Sequence, residues 1–231
     1  MPRRTAIADA AEAAMKRDAA ATVEIPPFGL EGSLGLPPAR AQGLVLFAHG
    51  SGSSRFSPRN NYVATALQKA GLATLLFDLL SDAEAENRAN VFDIDLLSER
   101  LTAATSWAQC APQTRALSIG YFGASTGAAA ALVAAAQLRN VVRAVVSRGG
   151  RPDLAGAALP LITAPTLLIV GGDDPEVIAL NREARRVLRC KSALEIVPGA
   201  THLFEEPGAL DAVVKLARGW FLDHLAPLAE S

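Results

Sequence analysis

Ser125 stands in Gly123-Ala124-Ser125-Thr126-Gly127, a G-x-S-x-G set between an apolar run and an alanine-rich one. A serine on a strand-to-helix turn has a crowded backbone. Glycines two residues to either side relieve that crowding, and the helix N-terminus favours developing negative charge. The chemistry this suits is nucleophilic attack on a carbonyl, which needs a base to take the serine proton and a carboxylate to orient the base. Three histidines are present: His49 ends an early apolar run, His224 lies in the last helical segment, and His202 falls in a loop near the end of the chain. Position makes His202 the base. Gly171-Gly172-Asp173-Asp174-Pro175 offers two candidate acids, one of which can serve instead as a helix cap. His49-Gly50-Ser51-Gly52-Ser53 is the loop expected to supply one oxyanion donor, the Ser51 N–H. The residue after the nucleophile, Thr126, supplies the other.

A nucleotide site competes for the same glycines. However, Gly120, Gly123 and Gly127 are not spaced as G-x-G-x-x-G, Val145-Val146-Ser147-Arg148 ends in no acid, and no P-loop lysine follows Gly127.

The elements that must position these residues are legible. Apolar runs recur at Leu44–Ala48, Ala73–Phe77, Leu117–Tyr121, Ala144–Val146, Thr166–Val170 and Ala193–Val197. Their nearly unbroken apolar character predicts parallel strands buried on both faces. Helical patterns lie between them, at about 61–70, 93–108, 126–137, 176–189 and 209–225. Thr22–Ile25 and Gly32–Leu36, separated by Pro26, Pro27 and Gly29, read as two antiparallel edge strands. The alternation predicts an α/β fold, a mostly parallel central sheet with helices on both faces and its site at the carboxyl ends of the strands. The short stretch from Val146 to Thr166 leaves no room for a large cap. Residues 1–21 are expected to form an N-terminal helical arm, and 22–231 the main domain.

Composition narrows the classes. Half of the 231 residues are apolar, and 22 basic residues against 23 acidic ones argue against a nucleic-acid partner. No apolar stretch approaches the roughly 18 residues of a membrane span. Arg3-Arg4 is followed by Asp9, Glu12, Lys16, Arg17 and Asp18, which break up any export signal. Cys110 and Cys190 form no CxxC, as expected of reduced thiols in a cytoplasmic protein.

The joint order of these motifs resembles the α/β-hydrolase superfamily, and within it the lidless dienelactone-hydrolase-like branch, over about residues 22–225. The resemblance implies a carboxylester hydrolase with Ser125, Asp174 and His202 as catalytic triad and no metal or organic cofactor. Its members place the acid three residues before a valine like Val177, which favours Asp174 over Asp173. Dienelactone hydrolases carry a cysteine where this chain has Ser125, so the implied substrate is a small carboxylic ester, with lactones and thioesters as relatives. Two rivals use the same fold: a non-catalytic binding module, and an acyltransferase with the same triad.

Arg55, Arg59, Arg148 and Arg151 fall on loops expected at the site. Arg148, two residues past a buried strand and next to Gly149-Gly150, is expected to recognise an anionic group on the substrate. Asp78, Asp82, Glu84 and Glu86 lie on another loop of the same edge as its competing partners.

Overall fold

The computed structural model describes residues 20–225. The chain opens with β1 (Ala21–Ile25), β2 (Leu30–Gly35) and β3 (Leu44–Ala48), followed by α1 (Pro58–Lys69) and β4 (Ala73–Phe77). Two short helices, α2 (Asp82–Ala85) and α3 (Arg88–Phe92), lead into α4 (Ile94–Cys110). β5 (Ile119–Ala124), α5 (Thr126–Gln137) and β6 (Val142–Arg148) come next, then a 3₁₀ segment (Pro152–Leu161). β7 (Thr166–Gly171), α6 (Pro175–Val187), β8 (Ser192–Val197) and α7 (Ala209–Leu225) complete the order.

The eight strands form one sheet in the order β1-β2-β4-β3-β5-β6-β7-β8. β1 and β2 pair antiparallel at one edge, and every pairing from β4 to β8 is parallel. Alternate strand residues explain the unbroken apolar runs. Leu44 and Leu46 enter the core under α4 and α5, while Val45 and Phe47 enter the one under α1 and α7. Tyr121 and Phe122 divide between the two layers in the same way. A parallel strand covered on both faces has no polar side to show.

Helix α5 is buried from Thr126 to Ala136. Its alanines allow it to lie between the sheet, α4 and the 3₁₀ segment. The expected strand Leu117–Tyr121 instead begins at Ile119 and continues to Ala124. Leu117 closes a turn, its N–H donating to the Thr114 carbonyl at 2.9 Å. Register with both neighbours carries the strand onward, pairing Gly123 with Ala48 and Ala124 with Arg148. The expected N-terminal helical arm lies outside the described residues. Among these, no helix is long and apolar enough to cross a membrane.

Candidate active site

Ser125 follows β5 and precedes α5 with φ +51° and ψ −122°. That is a left-handed conformation which a residue bearing a Cβ rarely adopts. Its backbone is held on both sides. The Ser125 N–H donates to the Arg148 carbonyl at 3.3 Å, and the Ser125 carbonyl accepts from Ala128 at 3.1 Å and Arg151 at 3.2 Å. The hydroxyl caps no helical N–H. Gly127 is dictated by close approach, since a Cβ there would run into the carbonyl oxygens of Ala48 and His49. The start of α5 is thus pressed against the end of β3.

The loop after β3 arrives from the other side. A Cβ on Gly50 would lie 2.9 Å from the Ser125 Cβ, so this loop touches Ser125. The Ser51 N–H lies beside Thr126 but donates to its Oγ1 at 3.0 Å. To donate to any other acceptor it must share or release that bond. The Thr126 N–H opens α5, where the first N–H groups have no intrahelical acceptor.

His202 Nδ1 bonds to Asp174 Oδ2 at 2.8 Å. The other oxygen, Oδ1, accepts the Val177 N–H at 3.4 Å and caps α6. Cap and histidine partner looked like rival roles for two aspartates. In the structure one residue fills both. Asp173 is exposed and contributes its backbone N–H to the Ala200 carbonyl at 2.9 Å, tying the two loops together. The His202 side chain is 39% exposed against 15% for Asp174, so the ring is held on one edge and open on the other. Gly149 stands between His202 and Ser125: a Cβ there would lie 3.5 Å from His202 Cε1, and the preceding carbonyl holds Ser125.

His49 and Asn181 carry roles not read from the sequence. The His49 ring donates from Nδ1 to the Gly50 carbonyl at 3.1 Å and accepts the Leu79 N–H at Nε2, also at 3.1 Å. A carbonyl can only accept and an N–H can only donate, which fixes a neutral Nδ1–H tautomer. Burial lowers the affinity of this ring for a proton, against the smaller opposing pulls of the Gly50 carbonyl and Asp78. His49 therefore ties the Ser51 loop to the loop after β4. Asn181, buried on α6, donates from Nδ2 to the Gly150 carbonyl at 3.0 Å and supports the turn beside Ser125. A His-Gly pair closing an apolar strand was the available signal for the first. The second depends on tertiary packing alone.

A pH effect on stability follows from His49. Its proton affinity is lower in the folded chain than in the unfolded one, so between the ordinary value of about 6.5 and the lowered one the unfolded chain holds more protons. Stability from this group is complete above that ordinary value and is lost as pH falls. His49→Gln should be less stable than wild type at pH 7.5, yet lose less of its Tm between pH 7.5 and 5. Parallel Tm-against-pH curves would show that His49 does not contribute.

A cleft of about 580 Å³ opens beside Ser51 and Thr126, lined also by Glu31, Arg55 and Asp78. The arginines that looked alike in sequence separate here. Arg55 is held by Asp78 and Glu31, and Arg151 pairs with Asp153 at 2.8 Å. Glu84 pairs with Arg100 at 2.7 Å. None of the acids on the loop after β4 forms an ion pair with Arg148 among the described residues. Arg148 is 8% exposed, with Nε and Nη1 buried and unbonded among the described residues.

A serine on a left-handed turn between strand and helix, with a histidine–aspartate pair on the neighbouring loops of a mostly parallel sheet, defines an α/β hydrolase without a lid. Residues 53–220 match the model of the dienelactone hydrolase family, and the chain belongs to that family. It is 57% identical to the dienelactone hydrolase from Anabaena variabilis, with a TM-score of 0.85 over 89% of this chain and 97% of that one. A lidless α/β serine hydrolase from Xanthomonas campestris shares the fold at 21% identity, TM-score 0.73, over 91% and 97% of the two chains. Two strains of Mycobacterium tuberculosis, CDC 1551 and H37Rv, encode relatives 59% identical over 217 residues, each named "Putative phosphoribosyl transferase". Those residues are 94% of this chain and 49% of each relative, so the chain spans about half the length of the curated relatives it matches.

Proposed function

We propose that the chain is a serine carboxylester hydrolase acting through an acyl-enzyme on Ser125. The observation that carries this is the 2.8 Å bond from His202 Nδ1 to Asp174, on a loop adjoining a serine held at φ +51°. With Nδ1 committed to the carboxylate, Nε2 is the nitrogen left to accept the Ser125 proton. Ser125 Oγ attacks the ester carbonyl as His202 takes that proton, and Asp174 favours the imidazolium that forms. The oxyanion meets the Thr126 N–H, and the Ser51 N–H once it turns from the Thr126 hydroxyl. His202 returns the proton to the departing alcohol, and water then attacks the acyl-enzyme by the same route. A small ester fits the cleft beside Ser51, and the soluble, cytoplasmic setting expected from the sequence suits such a substrate. No step requires a metal or organic cofactor.

The mycobacterial name describes chains about twice as long as the shared portion, and that portion is the one with hydrolase-family geometry. It supplies no second reading for this chain.

The test is labelling with a fluorophosphonate probe, followed by a turnover screen over p-nitrophenyl esters of graded acyl length. One probe per chain, on the peptide containing Ser125, and turnover of the short esters are expected. Turnover without labelling would move the nucleophile elsewhere, and neither would leave a binding module as the better reading.

A further inference from the structure

Phe56 is the most exposed of the large apolar side chains among the described residues, at 68%, and it lines the cleft beside Ser51. A single exposed ring is ordinary on a protein surface. This one is displayed on a fixed backbone. Its N–H donates to Ser54 Oγ at 3.2 Å, the preceding carbonyl accepts from Asn61 Nδ2 at 2.8 Å, and the next residue, Ser57, caps α1. One face of the ring rests on a guanidinium, with Arg55 Cζ 4.2 Å from the ring centroid. That guanidinium is itself gripped by Asp78 and Glu31, and the Arg55 N–H donates to Asp78 Oδ1 at 2.7 Å. Phe28 and Phe92 also lie over arginines, Arg100 at 3.5 Å and Arg88 at 5.9 Å, but neither lines the cleft.

The chain thus holds a ring in water with one face covered and the other free. The cation beneath draws π density toward itself and leaves the free face poorer in electrons. Such a face suits a second aromatic ring in offset stacking, best an electron-rich one. A ring already fixed loses little freedom when it is covered. Leu80, Val91 and Leu97 line the same cleft, so a group that leaves water for Phe56 meets further apolar surface. Gly50, whose loop touches Ser125, lines it as well. A molecule seated on Phe56 is therefore within reach of the serine.

We propose that Phe56, backed by Arg55, is a stacking platform for an aryl group on the ester that Ser125 attacks, and that it sets a preference for aryl over saturated-ring esters. The ester rests on the hydrolase reading; the stacking of an aryl group on Phe56 does not.

Two measurements separate them. The first uses matched esters on the full chain, with hydrolysis followed by a pH indicator. Ethyl 3-phenylpropionate against ethyl 3-cyclohexylpropionate puts the ring in the acyl half, and benzyl acetate against cyclohexylmethyl acetate puts it in the alcohol half. The saturated ring is the more apolar, so burial alone would favour it. In at least one pair the wild type should instead prefer the aryl member by about three- to tenfold in kcat/KM, the range an aromatic pair adds beyond burial. The pair that responds shows which half of the ester sits on Phe56. Phe56→Leu, apolar but without a π face, should bring that ratio to about one, and Phe56→Trp should keep it. No preference in either pair, or one that survives Phe56→Leu, overturns the proposal.

The second measurement is the binding of 2-methoxynaphthalene, an electron-rich arene with no ester bond, read by its fluorescence anisotropy. Its Kd should rise at least about threefold in Phe56→Leu. No binding to the wild type, or equal affinity in the two proteins, overturns the platform. If the wild type hydrolyses none of the four esters, the hydrolase reading fails, while the naphthalene affinity still reports on Phe56.

Discussion

Ser125→Ala should reduce ester turnover by at least on the order of 10³-fold and leave thermal unfolding close to that of the wild type. The two halves of this expectation have different causes. In the proposed mechanism turnover depends on the hydroxyl, which makes no helix-capping bond and without which no acyl-enzyme can form. What activity remains comes from the oxyanion donors and from binding. Stability depends on the backbone, whose N–H and carbonyl are bonded to Arg148, Ala128 and Arg151 whatever the side chain. Alanine retains a Cβ at φ +51° and so retains the strain. Glycine does not. Ser125→Gly should be equally inactive but unfold about 2–4 °C higher, the equivalent of about 1 kcal/mol of relieved strain. Steady-state kinetics on p-nitrophenyl esters and thermal melts of the three proteins check both halves. An alanine variant with more than about a tenth of wild-type turnover would remove Ser125 from the mechanism.

Much of this arrangement was legible in the sequence because its determinants are local. The unbroken apolar runs reported strands covered on both faces, and β3 and β4 fall where they predicted. The glycines around Ser125 reported contacts their own backbone must make, such as Gly127 against the end of β3. What could not be read depends on partners distant in the chain. The Thr126 hydroxyl accepts the Ser51 N–H across 75 residues, and Arg59 reaches Glu205 across 146. No spacing distinguishes Arg55, held by two carboxylates, from Arg148, held by none among the described residues. The short helices α2 and α3 were missed for a different reason. Four or five residues show no periodicity, although Ser81 and Glu84 form a capping box that marks the start of the first. The 3₁₀ segment from Pro152 to Leu161 is broken at Gly156 and contains Pro160, so it has no helical pattern to display.

Asp174→Asn should be far more damaging than Asp173→Asn, and the reason is the division of labour between two oxygens. Asp174 Oδ2 takes the His202 ring and Oδ1 takes the Val177 N–H. Asparagine has one acceptor for these two donors. If its oxygen stays with Val177, its amide N–H₂ faces His202 Nδ1, which must then accept, and the ring is driven to the tautomer that cannot take the serine proton. If the oxygen turns to His202, the amide meets the Val177 N–H and α6 loses its cap. The first arrangement costs catalysis on the order of 10³–10⁴-fold, as expected when an orienting carboxylate becomes an amide. The second costs about 1 kcal/mol of stability and still removes the charge that favours the imidazolium. Asp173 is exposed and acts through its backbone N–H to Ala200, which asparagine retains, so Asp173→Asn should stay within about twofold of wild type. The measurement is kcat/KM for one short ester on the three proteins, with a melt of each to separate the cap from the chemistry. Equal, mild losses would mean that neither carboxylate orients the base. A large loss confined to Asp173→Asn would mean that the loop rearranges when substrate binds.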